Sequence, residues 1–164
     1  MTTLAITAAS WHIGGLPLHP LLVHGVVVLL PLAGVAAILH AAWPAARRRL
    51  GIVTPGLATV ALILVPITVR AGEALAAAIG TNPKIARHQQ LGQTLLPWVI
   101  GLFVVAGALW VWYRYFEPRQ QNPRTRLWVN SGLLVLAMVA GIGSIVDVVL
   151  IGDAGARAVW EGVG

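Results

Sequence analysis

Four long apolar runs, separated by short segments that hold nearly all the charge, leave this chain few ways to fold. The runs cover about 20–43, 50–69, 89–113 and 127–151. Each reaches the roughly 20 residues that an α-helix needs to cross a hydrocarbon core about 30 Å thick. Backbone inside lipid must satisfy its own N–H and C=O groups, so runs of this kind fold as helices. Short connections make consecutive helices antiparallel. The expected fold is therefore all-α: one integral membrane domain over residues 1–164, built as a four-helix bundle. Composition agrees, with 58% hydrophobic and 10% charged residues, where a soluble domain carries about 25% charged residues.

Helix punctuation sharpens the limits. Pro20 suits the first position of the first helix, and Asn82-Pro83 reads as an N-cap followed by proline. The third helix is then expected to begin before its apolar run and to carry Arg87 and His88. Pro31 is expected to kink the first helix. The second helix is expected to continue as an amphipathic arm through Arg70, Glu73 and Leu75 to Gly80. Trp43, Trp110, Trp112, Tyr113, Tyr115 and Trp128 gather at one set of helix ends, as an aromatic belt does at a membrane interface. Ala33, Ala37 and Ala41, Ala137 with Gly141, and Ala140 with Ser144 offer small faces for close helix approach.

Basic residues set the orientation. Arg47, Arg48 and Arg49 lie between spans one and two, and Arg114, Arg119, Arg124 and Arg126 between spans three and four. Arg70, Lys84 and Arg87 lie between spans two and three, and Arg157 follows span four. An excess of basic residues in short loops marks the cytoplasmic side. The arginine loops are thus expected inside, and the N-terminus and C-terminus outside. The net charge of +6 is then a topology signal and not nucleic-acid affinity. Met1 to Ser10 lack a basic n-region, which argues against a cleaved signal peptide. The absence of cysteine excludes disulfides, thiolate-held iron–sulfur clusters and a thiol nucleophile. No HExxH, CxxCH, Walker or nucleotide-binding glycine pattern occurs. Ser144 and Asp147 share a helix face, but nothing activates the serine. No catalytic residue is assigned, and the expectation is a non-enzymatic protein.

This topology brings polar groups from every helix to the outer ends: His19 and His24, Arg70 and Glu73, His88 with Gln89 and Gln93, and Asp147 with Asp153. His40, beside Trp43 at the inner ends, reads as an interfacial histidine. Arg70 and Glu73, three apart on a helix, suit a surface ion pair. Gln89 and Gln93 read as interfacial, and His19 as a loop or capping residue. His24 and Asp147 are different. Each lies within an apolar run, where an ionisable group is costly and faces the bundle interior with a partner. The expected partners are each other, His88 and Arg70.

Three chemistries suit such a cluster. Two histidines on different helices can ligate a haem iron axially. His19, His24, His88, Asp147 and Asp153 can hold a transition-metal ion, for which imidazole and carboxylate are ligands. A network of these groups with Arg70 and Glu73 can relay protons or bind a quinone head group. Spacing does not separate these readings, because the ligands lie on different helices.

The segment Gly15-Leu16-Pro17-Leu18-His19-Pro20-Leu21-Leu22-Val23-His24, the stretch from Arg87-His88 to Pro97-Trp98, and Ile151-Gly152-Asp153-Ala154-Gly155-Ala156 resemble a family of bacterial predicted membrane proteins, domain of unknown function 2231. The resemblance implies a four-span protein of the bacterial cytoplasmic membrane. It also implies membrane redox chemistry, since some relatives are fused to Rieske-type iron–sulfur or cytochrome c-type domains. It points to His19, His24 and His88. Relatives often carry a histidine where this chain has Asp153, which speaks against a haem ligand there and leaves a metal or proton role.

The expected function is a redox-associated, electron-transfer subunit that holds haem b or a transition-metal ion at the outer face. Its cofactor residues are His24, His88 and His19. Its partners are the lipid bilayer and a Rieske-type or cytochrome c-type protein, in a homo- or hetero-oligomer. The alternative is a structural or assembly subunit of a larger membrane complex, with a polar cluster that only ties the bundle together. A channel ranks last, since the inner halves of the spans offer little beyond His40, Thr59 and Asn130.

Overall fold

The computed structural model of this chain describes residues 11–80 and 82–160. Met1 to Ser10, on which the signal-peptide expectation falls, lie outside the described residues. Helix α1 spans Leu18–Ala42, α2 Pro44–Leu50, α3 Val53–Ile79, α4 Pro83–Val111 and α5 Pro123–Trp160. Past Val111 the fourth helix widens into a π-helical turn, Trp112–Phe116, and closes with a 3₁₀ turn, Glu117–Arg119. All four long helices are long and apolar enough to cross a membrane. The chain is an all-α membrane bundle.

The helix ends follow local chemistry. Asn82 caps α4 as expected, its side-chain oxygen accepting from the Lys84 and Ile85 amides at 2.9 Å. Pro20 lies in the first turn of α1, two residues after the helix begins, where its missing N–H leaves nothing unsatisfied. The amphipathic arm on α3 runs unbroken to Ile79 and stops at Gly80, whose φ of 88° suits a residue without Cβ. Two elements were not anticipated. The three arginines of the first loop form their own short helix, α2, started by Pro44. Ahead of α1, His12–Ile13 (β1) and Leu16–Pro17 (β2) pair antiparallel across Gly14-Gly15. Both glycines have positive φ, 59° and 82°, as a two-residue hairpin turn demands.

The helices form a closed ring in which α1 packs on α3 and α5, and α4 packs on α3 and α5. The α1/α4 and α3/α5 pairs are therefore diagonal. Lipid tails are as apolar as leucine, so close packing must hold the ring together. The sequence supplies it with small residues. Ala33, Ala37, Ala61, Ala106 and Ala137 are fully buried around Leu30, Val99, Leu102 and Leu109. At mid-height α1 and α5 touch backbone to backbone: a Cβ on Gly34 would lie 3.1 Å from the Gly141 carbonyl oxygen, and one on Gly141 would lie 3.0 Å from that of Gly34. Two residues along α5, the Trp98 ring occupies the space where a Gly143 side chain would sit. Val28, Ile63, Val104 and Val149 stay more than half exposed and form part of the lipid-facing surface.

Candidate functional site

The start of α1, the end of α3, the start of α4 and the end of α5 share one end of the bundle. There His19 and His88, on diagonal helices, meet with ring centroids 6.2 Å apart and planes at 77°. Each ring is fixed by the neighbouring helix in the same way. His19 Nδ1 lies 2.9 Å from the Thr68 carbonyl of α3, and His88 Nδ1 lies 3.0 Å from the Ile151 carbonyl of α5. A carbonyl only accepts, so Nδ1 carries a proton in both rings, and it is Nε2 that the neutral ring leaves free to accept or to ligate.

The two anchors share a further feature. The residue four after each acceptor carbonyl is a glycine, Gly72 after Thr68 and Gly155 after Ile151. In a helix that residue's Cβ would stand beside the carbonyl and block a side-on approach. A Cβ on Gly72 would lie 2.8 Å from the His19 ring, and one on Gly155 would lie 3.0 Å from the His88 ring. The pairs α1/α3 and α4/α5 thus repeat one arrangement about an approximate two-fold axis. The two halves of the sequence show no repeat, because the shared parts are a histidine, a backbone carbonyl and a glycine.

Around these rings lies a cleft of about 590 Å³, contributed to by all four long helices. That volume is in the range that holds a cofactor-sized molecule. Its wall is mostly aliphatic, with Val23, Val27, Val65 and Val148, and its polar groups include His19, His24, His88, Thr68, Glu73 and Gln89.

Several sequence expectations need correction. His24 faces the cleft but is exposed, and its Nδ1 binds the Pro20 carbonyl of its own helix at 2.5 Å. It does not meet Asp147. Asp147 is buried on the α4/α5 seam, where its partner is the Thr94 hydroxyl at 3.0 and 3.1 Å, in place of His24, His88 or Arg70. Asp153 is exposed and pairs one turn on with Arg157 at 2.8 Å. Arg70 and Glu73 do not pair with each other, and both are exposed. Among the described residues no three His, Asp or Glu side chains come together as a metal site. The five-residue ion site is not assembled, because its members lie at different depths and on different seams.

A second cluster, at the arginine-bearing end, was missed. His40 is only 2% exposed and is held within the bundle. Its Nδ1 lies 3.0 Å from Thr54 Oγ1, and its ring lies 5.8 Å from that of Tyr113. Tyr113 is buried and leaves the aromatic belt, whereas Trp43, Tyr115 and Trp128 remain exposed in it. Arg47 fastens this end. Its Nε donates to the His40 carbonyl at 2.9 Å, an Nη to the Ala41 carbonyl at 2.8 Å, and its guanidinium lies 3.3 Å over the Tyr113 ring. Burial lowers the Arg47 guanidinium from its ordinary value, and nearby Tyr113 and Glu117 oppose this. It stays cationic, and caps the last carbonyls of α1. Arg47→Ala should lower unfolding free energy by about 2 kcal/mol, the scale of a charge-assisted hydrogen bond plus a cation–π contact. Exposed Arg48→Ala should change it by less than about 0.5 kcal/mol. Denaturation of the purified variants in one detergent checks the difference, and equal effects contradict it.

No curated protein and no solved structure matches this chain. Residues 15–164 match the family described as predicted membrane protein (DUF2231), a match that covers both histidine anchors and all four long helices. The chain belongs to that family of multi-span membrane proteins.

Proposed function

We propose that this protein is a haem b-binding, electron-transfer subunit of the membrane, in which His19 and His88 would hold the iron. The observation that carries the reading is the matched pair of anchored rings. A histidine nitrogen sits about 2.0–2.1 Å from a metal that it holds, so two rings that shared one iron would have to stand close together. The rings here are 6.2 Å apart. Both hold their Nδ1 proton on a backbone carbonyl, the outer-sphere bond that orients metal-ligating histidine and raises its basicity. A porphyrin supplies four of the iron's six donors, so two protein ligands suffice; the lack of a three-ligand cluster among the described residues favours haem over a bare ion. Bound there, haem supplies one-electron chemistry. The chain's own part is to hold two imidazoles in fixed tautomers and to surround them with an aliphatic wall.

Titrating haemin into the detergent-purified chain tests this. A low-spin spectrum that saturates near one haem per chain supports it, and weak unsaturable binding contradicts it. The distribution of basic residues supports placing the histidine end outside, toward a Rieske-type or cytochrome c-type partner, and the arginine end in the cytoplasm. With no native cysteine, single-cysteine variants decide this cleanly. Asp153→Cys should react with a membrane-impermeant maleimide in intact cells, and Arg48→Cys only after lysis. The reverse pattern moves the site to the cytoplasmic side.

A further inference from the structure

Asp147 is the only titratable side chain in the spans between the outer histidines and the His40–Tyr113 level. Residues 25–39, 55–69, 89–112 and 127–152 contain no other. It is 8% exposed, and among the described residues its carboxyl oxygens have one hydrogen-bonding neighbour, the Thr94 hydroxyl, at 3.0 and 3.1 Å. The same hydroxyl lies closer, at 2.7 Å, to the Leu91 carbonyl. A threonine hydroxyl has one hydrogen to donate and lone pairs with which to accept. One hydrogen donates fully to only one acceptor, and the carbonyl is the nearer.

One assignment gives both hydrogens an acceptor and leaves no charge within the span. Asp147 keeps a proton on its carboxyl and donates it to Thr94 Oγ1, and Thr94 donates its own hydrogen to the Leu91 carbonyl. In the other assignment an anionic carboxylate in the membrane interior has a single hydroxyl donor and no cation. The groups that face it are unsuited to that task. On α1 the nearest titratable group along the helix is His24, whose Nδ1 proton is already on Pro20. On α4 it is His88, whose Nδ1 proton is on Ile151. On its own helix it is Asp153, already paired with Arg157. On α3, diagonal to α5, Arg70 and Glu73 are exposed. An isolated buried anion is strongly disfavoured, and neutralisation is the usual outcome.

We propose that Asp147 and Thr94 form a proton-binding site on the α4/α5 seam, in which Asp147, buried beside an exposed Thr94, is a neutral carboxylic acid that donates to Thr94. Leu95 and Val148, the next residues along each helix, line the histidine cleft. The inference does not depend on what occupies that cleft.

Infrared spectroscopy of the purified full chain at neutral pH, in H₂O and D₂O, tests the proposal. The chain has five acidic residues, so a carboxylic-acid carbonyl band is readily assigned. Wild type should show one such band, it should shift in Thr94→Val, and it should be missing from Asp147→Asn. Folded wild type without the band overturns the proposal, as does a band that survives in Asp147→Asn. If Asp147→Asn does not fold, Thr94→Val decides alone, and an unmoved band there overturns it.

Discussion

His19→Ala and His88→Ala should each lower haem affinity by more than about 100-fold, beyond the loss typical of an outer-sphere change, while leaving the bundle folded. His24→Ala should change it less than about tenfold, and His40→Ala, at the opposite end of the bundle, should leave it unchanged. The contrast follows from position. His19 and His88 face each other across the diagonal, whereas His24 is turned back onto its own helix through Pro20. Gly72→Val and Gly155→Val make the same point without removing an imidazole. Their side chains would enter the space of the His19 and His88 rings, already 2.8 and 3.0 Å from a bare Cβ. Both should lose haem with the ligand still in the sequence. Variants of either histidine that load as fully as wild type contradict the assignment of that histidine.

The second large effect is on stability. At the α1/α5 crossing each glycine faces the other's backbone, which cannot rotate away as a side chain can. Gly34→Ala or Gly141→Ala should cost about 1–3 kcal/mol through overpacking, and Gly141→Leu more. Gly101 and Gly107 lie within α4, where an added Cβ would meet nothing within 4 Å. There alanine should stabilise by about 0.5–1 kcal/mol, because it loses less backbone entropy in a helix. The sign of the change thus separates packing from propensity. Denaturation of the four alanine variants in one detergent gives that sign, and uniform stabilisation contradicts the close crossing.

How far the sequence reveals this molecule depends on which interactions leave a mark in it. Hydropathy and the Asn82-Pro83 cap locate four helices, since both are local properties of the chain. The α3 arm to Gly80 is legible for the same reason. The start of α5 lies at Pro123, before the apolar run at Leu127, because Asn122 caps it from within the polar loop: its side-chain oxygen accepts from the Arg124 amide at 3.0 Å. Seam contacts are not local. His19 reads as a loop residue until α3 is seen to offer the Thr68 carbonyl, and a backbone acceptor has no signature in sequence. Gly72 and Gly155 are two glycines among eighteen. His40 beside Trp43 looks interfacial because the sequence does not show that Arg47 folds back over Tyr113. Asp147 stands out as a buried ionisable group, yet Thr94 has nothing to distinguish it until α4 and α5 are placed together.

The most direct measurement is the reduced-minus-oxidised optical spectrum of the full-length wild-type chain, purified from haem-replete membranes and assayed for haem by pyridine haemochrome. A bis-histidine haem site predicts a Soret shift and a sharp α-band on dithionite reduction, with close to one haem b per chain. A folded, haem-free protein that takes up no added haemin would contradict it, and would leave the histidine pair as part of a structural subunit.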